Sequence, residues 1–98
     1  MNPTLFETRT THAAKATITR NAATSLTVQG YLAGETRNGD TVWKKTVMRL
    51  YPGSDFGRAK RAAVIYAATL DMPTVDEVDE RYNALIKEGV VLTQYLPE

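Results

Sequence analysis

The sequence predicts an α+β fold, with a four-stranded antiparallel sheet followed by two helices and a short C-terminal strand or tail. In the first half, apolar and polar residues alternate and Thr, Val, Ile and Tyr are frequent, which is typical of strands. In the second half, apolar residues recur at helical spacing. Strands followed by helices indicate α+β, and 98 residues without repeat or linker predict a single domain over residues 1–98.

Four segments of the first half have the strand pattern, and residues 21–25 form a plausible turn between the second and third. The strongest local signal is Asn38-Gly39, because this dipeptide between two alternating segments marks a hairpin. The predicted strands are residues 5–11, 15–20, 26–34 and 41–51.

The hairpin register depends on the loop length, since a slip of one residue turns every side chain to the other face. A two-residue loop places Val28 opposite Arg49, which mixes apolar and charged residues on one face. A three-residue loop over residues 37–39 pairs Val28 with Met48 and is the register we expect, although a bulge at residues 44–45 would change it. The expected outward pairs are Tyr31 with Lys45, Thr27 with Arg49 and Ala33 with Trp43.

The first helix is expected to follow Pro52-Gly53, which ends the fourth strand. Ser54 or Asp55 can cap it, and its alanines allow close approach to a sheet. Pro73 cannot continue a helix, so this helix should end near Leu70.

The second helix is expected to begin at residues 74–77, which have the form of a capping box. Gly89 is a fitting terminator. Residues 90–96 then form a short apolar strand or a docked tail, and such a strand can also pair across a dimer edge. We therefore expect a monomer or a weak homodimer.

The composition argues against an enzyme and against a cofactor. With no cysteine, disulfides, thiolate metal sites and thiol nucleophiles are excluded. His12 is the only histidine, and we expect it at the surface or at a strand edge, because a catalytic triad or a metal site needs more partners. The carboxylates at residues 76–80 are explained by the dipole of the second helix, so we predict no metal site.

Nothing in the sequence has the pattern of an export signal or of a membrane span. Residues 1–7 lack the basic start and apolar segment of a signal peptide, and no apolar segment approaches the roughly 20 residues that cross a bilayer. We expect a cytoplasmic protein that does not bind membranes.

The charge is distributed unevenly, although the net charge is only +1. Residues 1–62 contain ten Lys and Arg against four Asp and Glu, whereas residues 63–98 contain two against seven. A basic, aromatic surface can bind phosphates and bases, and the same residue types are common at protein interfaces. Alternatively, Trp43 is a core residue and the lysines only solvate the sheet. The candidate partner-binding residues are Tyr31, Arg37, Trp43, Lys44, Lys45, Arg49, Arg58, Lys60 and Arg61.

The start of the first helix suggests one functional class. Residues 59–63, Ala-Lys-Arg-Ala-Ala, resemble the last helix of double-stranded-RNA-binding domains, in which Lys60 and Arg61 would contact phosphates. The first helix of that family has no counterpart here. This resemblance implies a small nucleic-acid-binding regulatory protein with a basic sheet face, which we keep as the alternative function.

A second resemblance covers about half of the chain. Residues 5–11 (LFETRTT), 15–20 (KATITR) and 28–45 (VQGYLAGETRNGDTVWKK) are similar to phage-encoded anti-CRISPR proteins that act on type I surveillance complexes, with subtype I-F as the candidate. The resemblance implies a non-enzymatic inhibitor in the host bacterial cytoplasm that blocks target DNA binding. The implied partners are Cas subunits, with guide RNA or target DNA as a further contact.

Overall fold

The computed structural model describes residues 4–10, 14–89 and 94–95. Its order confirms the predicted α+β fold, with strands first and helices after them. His12 lies outside the described residues, as does most of the predicted strand or tail over residues 90–96. The elements are β1 (Thr4–Thr10), β2 (Ala14–Ala22), β3 (Ser25–Arg37), β4 (Asp40–Pro52), α1 (Phe56–Thr69), a 3₁₀ turn (Val75–Glu77), α2 (Val78–Lys87) and β5 (Gln94–Tyr95).

The sheet has the strand order β4-β3-β2-β1-β5, and its neighbouring strands are antiparallel. The first four strands therefore form a meander, as their sequence order suggests. The short strand β5 pairs with β1 of the same chain, with Glu7 opposite Tyr95 and Thr8 opposite Gln94. The strand order places β4 at one edge of the sheet and β5 at the other.

The core lies between α1 and one face of the sheet, which we call the inner face. Phe6, Ile18 and Val28 contribute large side chains to it from three strands, and all three are at most 1% exposed. The alanines of α1 let the helix backbone approach these side chains closely, and α2 packs against the other side of α1 through Val78 and Leu85. The opposite, outer face of the sheet is covered by no described helix or strand.

The hairpin between β3 and β4 has the two-residue loop, so the expected three-residue register is wrong at both of its ends. Asn38 and Gly39 both have positive φ, 51° and 84°, as the tightest hairpin turns require. Arg37 pairs with Asp40 across this turn, and Val28 faces Arg49 near the other end of the hairpin. Arg49 is only partly buried on the inner face, since β4 is an edge strand of the sheet.

Two compensating irregularities restore the expected register in the middle of the hairpin. The first is a β-bulge at Thr46, which has no cross-strand partner between the pairs Gly30–Val47 and Tyr31–Lys45. The second lies between Ala33 and Thr36. Between them, Tyr31 faces Lys45 and Ala33 faces Trp43, and these two expected pairs are confirmed.

A tyrosine from α1 holds the bulge in place. The ring of Tyr66 lies directly on Gly30, where an added Cβ would be 2.4 Å from the ring. The Tyr66 hydroxyl forms a hydrogen bond with Thr46 Oγ1, and Thr46 Oγ1 donates to the Gly30 carbonyl oxygen at 3.3 Å. The helix, the centre of β3 and the bulge of β4 are thus joined at one point.

The helix ends follow the predicted capping. Asp55 Oδ1 accepts the Arg58 backbone N–H at 3.0 Å, and α1 ends at Leu70 in a left-handed conformation. Glu77 Oε1 accepts hydrogen bonds from the Thr74 backbone N–H at 2.9 Å, as a capping box requires, and from the Thr74 hydroxyl at 2.8 Å. These two bonds lower the pKa of Glu77. Gly89 has φ 76° just after the second helix.

We expect Gly30→Ala to destabilise the fold by about 1–3 kcal/mol, because the new methyl group overlaps the Tyr66 ring. Urea unfolding measures this loss. Gly57→Ala is the matched control, since a Cβ there meets nothing closer than 3.5 Å and alanine favours the helix. Equal stability of the two variants would contradict the packing role of Gly30.

Tyr51 gives the fold a pH dependence on the alkaline side. Its buried hydroxyl donates to the Pro73 carbonyl oxygen, and burial raises its pKa to about 12. Because an unfolded tyrosine titrates near 10, this contribution to stability is complete below about pH 10 and is lost as the pH rises through about 12. We expect the difference in unfolding free energy between the natural chain and Tyr51→Phe to shrink over that range. A difference that stays constant with pH would contradict this.

Candidate functional site

A row of side chains crosses the outer face of the sheet from strand to strand. Arg9 on β1 pairs with Lys15 on β2, Lys15 pairs with Tyr31 on β3, and Tyr31 pairs with Lys45 on β4. Side chains of directly paired residues lie on the same face, so these four residues form a line across four strands. Trp43 lies beside the line, two residues before Lys45 on the same strand.

Two cations of this line lie against aromatic rings. Lys15 Nζ is 4.6 Å from the centroid of the Trp43 ring and 5.3 Å from that of Tyr31. The guanidinium carbon of Arg9 is 5.5 Å from the Trp43 centroid. These distances are within the range of cation–π attraction. We call Arg9, Lys15, Tyr31, Trp43 and Lys45 the cation–aromatic cluster.

Glu7 anchors the two cations from the adjacent position on the same face. Its Oε2 accepts a charged hydrogen bond from Arg9 Nε at 2.7 Å, and its Oε1 is 3.9 Å from Lys15 Nζ. Burial lowers the pKa of Lys15, Glu7 opposes this effect, and Arg9 adds to it. The Lys15 side chain is only 16% exposed, and its own surroundings hold the ammonium in position.

The outer face also carries an apolar patch, formed by Met48 and Leu50. The two residues are 56% and 53% exposed, and they lie on the same face as the cluster because Met48 pairs with Gln29 and Leu50 with Thr27. Gln29 links the two areas, since it donates to Met48 Sδ at 3.9 Å and accepts the Tyr31 hydroxyl at 2.7 Å. Exposed large apolar residues beside such a cluster are typical of an interaction surface.

The structure brings three of the predicted hairpin residues together and separates the others. Tyr31, Trp43 and Lys45 share the outer face. Lys44 pairs with Leu32 and therefore lies on the opposite face, and Arg37 is at the hairpin turn. Lys44 and Lys45 have no ion pair with described residues.

The expected outward position of Arg49 is wrong. The two-residue loop places it opposite Val28, whose side chain is in the core, so Arg49 lies on the inner face and is partly buried. Its Nε is buried and finds no hydrogen-bond partner among the described residues. Arg49 is therefore separated from the cation–aromatic cluster by the sheet itself.

The predicted basic residues of α1 are largely occupied by other side chains. Arg61 binds Asp79 of α2 at 2.8 Å, and Arg58 lies 3.2 Å from Asp55 and 3.7 Å from Asp79. Lys60 Nζ lies over the rings of Phe6 and Phe56, at 5.3 and 5.8 Å from their centroids. A cavity of about 270 Å³ opens here, and it is lined by Gly57, Lys60, Arg61 and Tyr82.

Sequence reasoning missed Glu7, Arg9 and Lys15 at this site. All three have the period-2 spacing of outward residues on β1 and β2. Their place beside Trp43 follows only when the meander order of the strands and the β2–β3 register are known. The alternation on β1 and β2 marks these residues as outward-facing, but only the strand order shows that they lie beside Trp43.

Other kinds of site find no support in the described residues. No group of three or more His, Asp or Glu side chains among them is arranged to hold a metal ion, and none of the helices they form has the length and apolar character to cross a membrane. In comparisons with known proteins, no family model, curated protein or solved structure matches the chain.

The two charged neighbours of Lys15 should shift its pKa in opposite directions. Glu7→Gln removes the carboxylate that favours the ammonium, so we expect the pKa of Lys15 to fall further. Arg9→Gln removes a repelling charge, so we expect it to rise. NMR titration of the lysine side chains measures both, and shifts of the same sign in the two variants would contradict this arrangement.

Proposed function

We propose that the protein is a non-enzymatic phage inhibitor that binds a type I CRISPR–Cas effector complex through the outer face and blocks target DNA binding. One observation carries the proposal. A sheet face that no described element covers carries an apolar patch and a cation–aromatic cluster side by side. A partner that contains both protein and nucleic acid offers matching chemistry to both areas.

The apolar patch suits a protein subunit of such a complex. Met48 and Leu50 are more than half exposed, and burying them under a partner removes apolar surface from water. The cation–aromatic cluster suits an anionic surface, because Lys45 is exposed and unpaired among the described residues and Arg9 is only partly covered. The proposed partners are accordingly Cas subunits, with guide RNA or target DNA as a further contact.

The mechanism that we propose is occlusion. An inhibitor bound at a nucleic-acid channel excludes the target strand by its volume, and matching charges speed its association. This requires no catalytic group and no cofactor. The proposed place of action is the cytoplasm of the infected bacterium, and a monomer or weak homodimer is sufficient for it.

The alternative function is a small nucleic-acid-binding regulatory protein with a basic sheet face and phosphate contacts at Lys60 and Arg61, and the geometry gives less support to its contacts on α1. Arg58 and Arg61 pair with acidic side chains, as Arg9 does with Glu7, whereas the outer face also offers Lys45, which has no ion pair with described residues and lies in register with Tyr31. We therefore base the proposal on the outer face and not on α1.

Two adjacent lysines test the proposal with the same change of charge. We expect Lys45→Glu, on the outer face, to weaken binding to a purified type I effector complex about tenfold or more, since it places a like charge against the partner. Lys44→Glu should change the affinity by less than about twofold, because Lys44 lies on the opposite face. Biolayer interferometry measures the affinity, and a gel-shift assay with target DNA measures inhibition.

Equal losses in the two lysine variants would contradict the assignment to the outer face. Failure of the natural chain to bind any type I effector complex would overturn the proposed function itself.

A further inference from the structure

The cation–aromatic cluster has the shape of a track across the sheet. Arg9, Lys15, Tyr31 and Lys45 occupy four successive strands in register, so the line spans three inter-strand steps, or about 14 Å. Cations stand at both of its ends, and the aromatic rings lie between them. A flexible linear ligand can follow such a line, whereas a small anion would use only part of it.

The charge of the track favours a polyanion. Three cations stand against one carboxylate, Glu7, which is already bonded to Arg9. Lys45 has no ion pair with described residues, so its charge is free to meet a phosphate. Lys15 loses little freedom on binding, because Glu7 and the two rings already hold its ammonium. Preorganised cations bind phosphates at a lower entropic cost.

The aromatic rings favour single-stranded over double-stranded nucleic acid as the ligand. Tyr31 and Trp43 are partly exposed on a face that no described element covers. Bases stack on such rings only when they are unpaired, because a duplex hides the faces of its bases. A duplex would engage the cations and leave the rings unused.

From these observations we infer that the cation–aromatic cluster binds single-stranded nucleic acid, with phosphates at Arg9, Lys15 and Lys45 and a base against the exposed parts of Trp43 and Tyr31. This inference rests on the proposed function in taking the outer face as the contact surface. It adds that the cluster contacts the nucleic acid of the complex, whereas the apolar patch contacts a protein subunit.

Trp43 reports on this site directly, because it is the only tryptophan of the chain. Short oligo(dT) and oligo(U) added to the purified protein at low salt should quench its fluorescence, whereas a duplex of equal length should bind more weakly and quench less. With three phosphates contacted, the logarithm of the binding constant should fall with the logarithm of salt concentration with a slope of about −2. The two oligonucleotides distinguish RNA from DNA.

Variants separate the cluster from the rest of the surface. Lys45→Glu should reduce the affinity for oligo(dT) at least about fivefold, and Lys44→Glu should leave it within about twofold. Trp43→Leu, followed by anisotropy of a labelled oligonucleotide, should also weaken binding. Met48→Ser combined with Leu50→Ser should weaken binding to the effector complex but not to the oligonucleotide. Circular dichroism establishes that each variant is folded.

The outcomes distinguish this inference from the proposed function. If no single strand binds at low salt, yet Lys45→Glu still weakens binding to the effector complex, the cluster contacts protein and this inference is overturned. Equal effects of the two lysine variants on oligonucleotide binding would overturn it as well. If single strands bind at the cluster and no effector complex binds, the inference holds and the proposed function fails.

Discussion

The contact of the Tyr66 ring with Gly30 determines much of what the sheet presents to solvent. The ring needs a residue without a side chain beneath it, and glycine supplies that space at the centre of β3. Its hydroxyl then reaches Thr46 on β4, and this bond fixes the bulge. Because the bulge shifts β4 by one residue, Lys45 and Trp43 lie on the outer face beside Tyr31. A core contact on one side of the sheet thus arranges the candidate site on the other.

Local patterns were sufficient for the elements of this fold. Alternation predicted four strands, and Asp55, the 74–77 capping box and Gly89 marked the helix ends, because each of these signals acts within a few residues of the chain. The hairpin register could not be derived in the same way. Its bulge depends on Tyr66, which is 20 residues from Thr46 in the sequence and contacts it only in the folded core.

The residues of the candidate site likewise divide into those that local sequence predicts and those that depend on tertiary contacts. Tyr31, Trp43 and Lys45 were found because they lie on neighbouring strands of one hairpin. Arg9 and Lys15 were missed because their contacts with Trp43 reach across three and two inter-strand steps of the sheet, respectively. Arg61 of α1 is a predicted partner-binding residue, yet it pairs with Asp79, a partner that only the packing of α2 on α1 supplies. Sequence charge identifies cations, and tertiary structure decides which of them remain available.

The bulge at Thr46 has a further consequence, which concerns association between copies of the chain. Strand β4 lies at the edge of the sheet and is 13 residues long, so its free backbone groups could template pairing with another strand. An extra residue in the middle of the strand interrupts the regular spacing of those groups, and Lys44 and Lys45 place charges beside the interruption. The bulge at Thr46, which turns Lys45 and Trp43 to the outer face, therefore also hinders the pairing of another strand with the edge of β4.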